Sequence, residues 1–492
     1  MNAPLRRLAI VAALLFVSLL TSATYIQFVS ADSLNNRPGN VRSLYKQFDR
    51  PRGALLLNDN RTVIADSVPV KDFYGYQRRY PGGAQYSAVT GYFSVVYGQT
   101  GLESTESDLL SGTGDQQFIQ RVSDLFTGRQ TNGNDVKLTI DPQVQRAAWN
   151  ALGNQRGAVV AMDPKTGAIL ALVSKPGFDP NLLAVHNGTQ LRANWQQLLK
   201  DPNRPMDNRT IAGREYAPGS VFKVLTAATA LSSGNYTPDT QVPGPAQLTL
   251  PQSNTPLPND FTGDCGSGGQ PTLLHALVIS CNTAYGGLGM TLGEKALHNQ
   301  VQAFGFDRTL QIPLRVSPSK FSIKPDGTLS QAEVAYSAIG QLDVRVTPLQ
   351  ICMVSAAIAN KGTLMQPYLV DSVLGPDLQV RTKTDQKELG KPISENVASQ
   401  LTTMMQAVVD DPQGTGRQAR IDNVSVAGKT GTAQQAQGQP PNAWFTAFAP
   451  ADNPKVAVAV VVEDGGTLNE NATGGQVAAP IAKKVIQAVL KQ

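Results

Sequence analysis

A serine and a lysine stand three residues apart in "GREYAPGSVFKVLTAATAL", as Ser220 and Lys223. The residues after Lys223 are small or apolar, so the segment reads as a buried helix in which a charged amine is costly. Positions i and i+3 share one helix face. Pro218-Gly219 punctuates a helix start, which places Ser220 at or near the N-terminus. There, free N–H groups and the positive helix end favour a developing oxyanion. A buried lysine has a lowered pKa and can act as a neutral general base, one way to activate a serine nucleophile without histidine. On these two residues alone, a capping serine followed by a lysine stretched towards solvent explains the spacing better, since SxxK occurs often by chance.

Two further motifs narrow the choice. Ser280-Cys281-Asn282 lies in "LVISCNTAYG", and Lys429-Thr430-Gly431-Thr432 lies in "VAGKTGTA", a stretch with strand character. Each is weak alone. Gly431, beside a strand lysine, lets a substrate backbone come close. SxxK, then SxN, then KTG, in that order over about 210 residues, is a specific constellation. Other chemistries find little support. His186, His275 and His298 stand in no HExxH spacing, and three cysteines outside any CxxC pattern make a zinc site a poor expectation. Neither a metal nor a cofactor is expected. The net charge of +5, from 42 basic and 37 acidic residues, is mild and scattered. Without a basic stripe and interleaved aromatics, nucleic acid is not an expected partner.

The elements that must hold these residues can be read in outline. A chain of 492 residues with 41% hydrophobic content holds two or three domains. Arg6 and Arg7 precede about twenty uncharged residues, enough to span a membrane, so residues 1–29 read as a signal anchor. Arg37, Arg42 and Lys46 on the other flank oppose the usual charge rule, and Val29-Ser30-Ala31 is a weak cleavage-like site. Long soluble segments translocate regardless of such flanks, so residues 30–492 are expected outside the cytoplasm. Residues 30–135 read as a loop-rich module. A strand ends at Leu57, Asn58-Asp59-Asn60 turns, and a strand begins at Thr62. "YPGGAQYSAVTGYF" reads as loop and strand, a short helix is expected within "TESDLLSGTGDQQFIQRVSDLFTG", and "TNGND" at 131–135 reads as a linker.

From 136 to 492 the pattern is strand, Asp-Pro helix start with Val144, Ala148 and Leu152 in phase, then a hairpin around Asp163–Gly167. A mostly helical stretch over 217–360, broken by the loop 254–271, precedes three strands. A last helix carries Ile481, Val485 and Val489 on one face. The expected fold class is α+β: an antiparallel sheet built from both ends of the domain and flanked by helices.

"LLKDPNRPMDNRTIAGREYAPGSVFK", "AIGQLDVRVTPLQICMVSAAIANKG", "GTGRQARIDNVSVAGKTGTA" and "AWFTAFAP" resemble a class B penicillin-binding protein, and within that class an actinobacterial A-type branch. The resemblance spans essentially the whole chain. It implies a single-pass membrane protein with an N-terminal pedestal and an extracytoplasmic penicillin-binding transpeptidase domain. Its substrates would be peptidoglycan stem peptides and β-lactams. Its partner would be a membrane-embedded glycan polymerase within a cell-wall synthesis complex. By the same resemblance, Ser220 attacks a D-alanyl-D-alanine carbonyl and Lys223 takes its proton. Ser280 passes a proton towards the leaving group, and Asn282 holds Lys223 and the substrate amide. Lys429 and Thr430 bind the terminal carboxylate, and the N–H groups of Ser220 and Thr432 form the oxyanion hole.

Three alternatives stay open: a D,D-carboxypeptidase, a penicillin-binding sensor or scaffold, and a β-lactamase. The last needs a carboxylate to activate water. Glu333 in "QAEVAYS" is the tempting one, though its surroundings read as structural. Leu342-Asp343 stands where the family commonly has glycine and a small or polar residue. An extracytoplasmic setting permits a disulfide between Cys265 and Cys281, with Cys352 unpaired; two buried free thiols are the other reading. Cys281, in the middle of SxN, would then point away from Ser280 and Asn282.

Overall fold

The structure, a computed structural model, describes residues 3–30, 33–34, 47–112, 133–212, 215–251, 253–310, 312–321, 328–435 and 438–491. Ala31, Arg37, Arg42 and Lys46, residues 113–130 of the pedestal stretch and Thr131-Asn132 of the expected linker lie outside the described residues. Helix α1 (Ala3–Thr24) continues as a π-helical turn to Val29 and buries no residue against the rest of the chain. Among the described residues it is the one helix long and apolar enough to cross a membrane.

Strands β1 (Leu55–Leu56) and β2 (Val63–Pro69) form the expected hairpin, with Leu55 opposite Ala65. Its turn is set by Asp59, whose carboxylate accepts from the N–H groups of Arg61 and Thr62. Strand β3 (Tyr76–Arg79) pairs with β2. The next segment departs from expectation. Gly83–Tyr86 and Ser87–Thr90 are helical turns, and only Phe93–Ser94 is strand. The helical turn carries Tyr86 and Val89 into the core, a tertiary gain that local glycine content does not reveal. Of the stretch 105–128 in which a short helix is expected, Ser107–Ser111 is a helical turn, preceded by a further turn at Gly101–Thr105, and residues 113–128 lie outside the described residues.

Strand β4 (Asp135–Leu138) runs parallel to β1. Helix α2 (Pro142–Leu152) starts at Asp141, whose carboxylate accepts from the N–H groups of Gln143 and Val144. Strands β5 (Gly157–Met162) and β6 (Ile169–Lys175) form the second hairpin. The helical middle contains α3 (Lys223–Ser232), α4 (Asn282–Leu292), α5 (Gln331–Ala338) and α6 (Pro348–Ala359). Strands β7 (Val370–Leu374) and β8 (Val380–Lys383) and helix α7 (Glu395–Asp410) follow. Strands β9 (Ala427–Ala433), β10 (Asn442–Ala449) and β11 (Val456–Val462) precede the final helix α8 (Gly474–Leu490).

The main sheet runs β9-β10-β11-β5-β6 and is antiparallel throughout, with Val460 of β11 opposite Val159 of β5. Both ends of the domain therefore meet at its centre. On one face, Val144, Ala148 and Leu152 of α2 and Ile481, Val485 and Ile486 of α8 pack on Val159, Phe445 and Val458. Burying each large aliphatic side chain contributes about 1.5–3 kcal/mol. On the other face lies the helical middle, with α6 buried along nearly its whole length. A helix apolar all round has no solvent face to offer. A second, six-stranded sheet has the order β8-β7-β4-β1-β2-β3 and mixes strands from distant parts of the chain.

Candidate active site

The nucleophile candidate sits in a turn wedged against a sheet edge. Gly219–Phe222 is a 3₁₀ turn that runs directly into α3, so Ser220 and Lys223 lie on one side of it. Gly219 has φ +56° and donates its N–H to the Gly340 carbonyl. A Cβ there would sit 2.6 Å from the Thr432 carbonyl oxygen. A Cβ on Gly431 would sit 2.9 Å from the Pro218 carbonyl oxygen. These two glycines let the Ser220 turn lie against the outer edge of β9, whose other edge is taken by β10. The backbone of Ser220 is thereby brought beside that of Thr432.

Ser280 and Asn282 are set by a junction between two helices. Helix Leu273–Val278 ends in a Schellman arrangement: Cys281 N–H donates to Ala276 O and Ser280 N–H to Leu277 O. Ser280 occupies the left-handed position, φ +60°, where glycine is usual. Cys281 then caps α4, and Asn282 is its first residue. The Asn259 side-chain oxygen accepts from the N–H groups of Asn282 and Thr283 at 2.9 and 3.1 Å, completing the cap. Cys281 turns away from the serine and is joined to Cys265 in a disulfide, Cα–Cα 6.0 Å. Cys352 is a buried free thiol on α6, its titration pushed up by burial.

These pieces converge on two lysines with no exposed surface. The Lys223 amine donates to the Ser280 carbonyl at 2.6 Å and to the Asn282 side-chain oxygen at 2.7 Å, and lies 3.3 Å from Ser280 Oγ. A neutral amine has two N–H bonds, and those two acceptors satisfy both. Its lone pair is then left to receive a proton. The Lys429 amine donates to Ser280 Oγ at 2.9 Å and to the Thr430 carbonyl at 2.9 Å. Burial pushes the Lys223 ammonium down to about 7, against the opposing pull of Asp260. Burial, and then the neighbouring Lys223, hold Lys429 well below the ordinary lysine range, again with Asp260 opposing. A hydroxyl shared by two amines fits one cation better than two.

A cavity of about 390 Å³ opens over Ser220, Ser280, Thr430, Gly431 and Thr432. Among the lining residues outside the motifs, two touch motif side chains. Thr415 accepts from the Thr430 hydroxyl at 2.8 Å, and Asp260 accepts from the Asn282 amide at 3.1 Å. Thr415 comes from the segment between α7 and β9, and Asp260 from the loop before Cys265. The flanking glycines of Gly414-Thr415-Gly416 are the one local signal; Asp260 carries none. Glu333 is committed elsewhere, as the partner of Ser330 in the capping box of α5. Leu342 has a left-handed backbone, φ +58°, held by Arg345, which donates to its carbonyl at 2.6 Å. Among the described residues no cluster of histidine, cysteine and acidic side chains could hold a metal.

Comparison with known proteins identifies the family. Residues 157–487 match the penicillin binding protein transpeptidase domain, and residues 52–136 the penicillin binding protein A dimerisation domain. The chain is 43% identical to the peptidoglycan D,D-transpeptidase PbpA of Mycolicibacterium smegmatis, with all of both chains covered. It is 41% identical to PbpA of Mycobacterium tuberculosis, covering 100% of this chain and 99% of the relative. A solved structure of penicillin-binding protein A from M. tuberculosis, as its ceftriaxone acyl-enzyme complex, superposes with a TM-score of 0.85 at 40% identity. That match covers 91% of this chain and all of the other. The penicillin G acyl-enzyme of the same protein superposes at 0.83, with 40% identity and 90% and 100% coverage. With its three motifs gathered at one cavity on this fold, the chain belongs to the family of penicillin-binding protein transpeptidases.

Proposed function

We propose that the chain is a membrane-anchored peptidoglycan D,D-transpeptidase that works through an acyl-enzyme on Ser220 and is acylated there by β-lactams. The observation that carries this reading is the position of Ser280 Oγ, between the amines of Lys223 (3.3 Å) and Lys429 (2.9 Å). Ser220 Oγ attacks the carbonyl of the penultimate D-alanine, and Lys223 accepts its proton. The Cα-carboxylate of the terminal D-alanine docks on Lys429 and Thr430. As the C–N bond breaks, the proton travels through Ser280 to the leaving amine. The N–H groups of Ser220 and Thr432 face the oxyanion, and one such donor is worth about 3–4 kcal/mol in serine enzymes. Asn282 holds Lys223 and the substrate amide, and Gly431 admits the substrate backbone. An amine of a second stem peptide then takes the acyl group.

In this reading α1 is the membrane anchor, residues 30–492 lie on the outer face of the membrane, and a membrane-embedded glycan polymerase supplies the strands to be cross-linked. The domain plan is anchor 1–29, pedestal 30–135 and transpeptidase 136–492. Mass spectrometry of products from a donor stem peptide and an amine acceptor tests the reaction. A cross-linked product that is lost in Ser220→Ala supports it. Hydrolysed donor alone would establish a carboxypeptidase instead.

A further inference from the structure

The loop after Leu257–Pro258 puts into the catalytic cavity a carboxylate that the serine–lysine chemistry does not use. Asp260 lines both the cavity over Ser220 and an adjoining groove of about 650 Å³, which it shares with Phe261 and Thr432. Its position is built rather than incidental. The Asn282 side-chain amide donates to Asp260 at 3.1 Å and to the Pro258 carbonyl at 3.2 Å. Asn259 caps the same helix, and the loop is tied downstream by Asp264 to the Ala246 N–H and by the Cys265–Cys281 disulfide. Asp260 is nonetheless an exposed residue, at the junction of cavity and groove. It is also the acidic group that acts on both buried lysines.

A negative charge here is of no use to the donor, whose terminal carboxylate it repels. The second half-reaction brings a different charge. The acceptor is a primary amine, cationic at neutral pH, and it must outcompete water at the acyl carbon. Resting on the transpeptidase reading above, we propose that Asp260 docks the ammonium of the acceptor at the mouth of the cavity and so selects an amine over water. The step then balances simply. The C–N bond forms as the bond from the acyl carbon to Ser220 Oγ breaks. Of the two protons the ammonium gives up, one ends on Ser220 Oγ and the other on solvent.

The test is the partition of one acyl-enzyme, because the ratio of amide to acid product does not depend on how fast that acyl-enzyme forms. Full-length protein in detergent is given a donor stem peptide and glycinamide, and the products are weighed. Asp260→Asn keeps an oxygen for the Asn282 amide but removes the charge. It is expected to lower the amide-to-acid ratio about three- to tenfold at subsaturating glycinamide. Asp260→Glu should restore most of the ratio, and added salt should shrink the difference. With hydroxylamine, an acceptor largely uncharged at neutral pH, the ratio should not change. An unchanged ratio with glycinamide overturns the proposal. So does an equal loss with both acceptors, which would mean that Asp260 only holds Asn282. A rise in the ratio through slower hydrolysis would make Asp260 a water-activating base instead. If wild-type protein forms no amide at all, the transpeptidase reading itself falls, and the proposal with it.

Discussion

Lys223 is buried without exposed surface because the chain offers the neutral amine two fixed acceptors, the Ser280 carbonyl and the Asn282 oxygen. Its protonation then sets the pH dependence of acylation. With the lysine lowered from 10.5 to about 7, the base form grows as pH rises through about 7 and is lost below it. The groups around it are Ser280, Asn282, the lowered Lys429 and the opposing Asp260. The rate of labelling by a fluorescent penicillin should therefore climb from pH 6 to pH 8 and level off. Lys223→Arg should lose at least about a thousandfold at every pH, since a guanidinium cannot give up its proton. Ser220→Ala should not label at all. An arginine variant labelled at near wild-type rate would mean that the lysine supplies charge and no base. The three motifs were legible because each is a short run of unusual residue types. Asp260 and Thr415 were not, because each reaches the cavity from a segment whose position only the folded chain defines.

At the scale of the element, the junction from Leu273–Val278 to α4 gives up stability for chemistry. A left-handed residue other than glycine costs about 1–2 kcal/mol, and Ser280 accepts that cost while presenting both its carbonyl and its hydroxyl to Lys223. Ser280→Ala and Ser280→Gly both remove the hydroxyl and should both lose acylation. The glycine variant should nonetheless be about 1 kcal/mol more stable than the alanine variant in urea, the reverse of their order inside a helix. Equal stabilities would mean that the backbone there is not strained. The disulfide reinforces the same junction. With Cys265 and Cys281 separated by 16 positions, closing the loop is worth about 3 kcal/mol on the chain-entropy model. Peptide mapping without reductant should recover the linked pair from protein made in an oxidising compartment, and Cys265→Ser with Cys281→Ser should lower the unfolding midpoint. Free alkylation of all three cysteines would refute the link. Elements with a local signature, such as the Asp141-capped α2 and the hairpin β5–β6, could be read in the sequence. The helical turns at 83–90 could not, because their helicity depends on what Tyr86 and Val89 pack against.

Across the whole molecule, the pedestal and the transpeptidase region are stitched by the six-stranded sheet. Strand β4 pairs with β1 on one side and with β7 on the other, and the Thr139 N–H donates to the Leu369 carbonyl. No local pattern could announce a pairing between segments so far apart in the chain. Beneath this sheet, Glu103 is fully buried between Arg52 and Arg78, each 2.6 Å from one of its oxygens. Burial alone would push its carboxyl up, but Arg78 and Arg52 more than offset this and hold it below its ordinary 4.5. A carboxylate lowered in this way contributes stability above its unfolded pKa and loses it as pH falls through the folded value. The pedestal should thus hold at pH 5 and fail only in stronger acid. Glu103→Gln leaves two buried guanidinium groups facing a neutral amide, at a cost of about 3–5 kcal/mol. Because β1 is hydrogen-bonded into the shared sheet, the loss should spread beyond the pedestal. In a thermal scan followed by circular dichroism, the variant should melt lower than wild type at pH 7. Penicillin labelling at Ser220, distant in sequence from Glu103, should fall at the same temperature as the melt. Labelling that survives intact after the pedestal has melted would show that the two regions fold independently despite their common sheet.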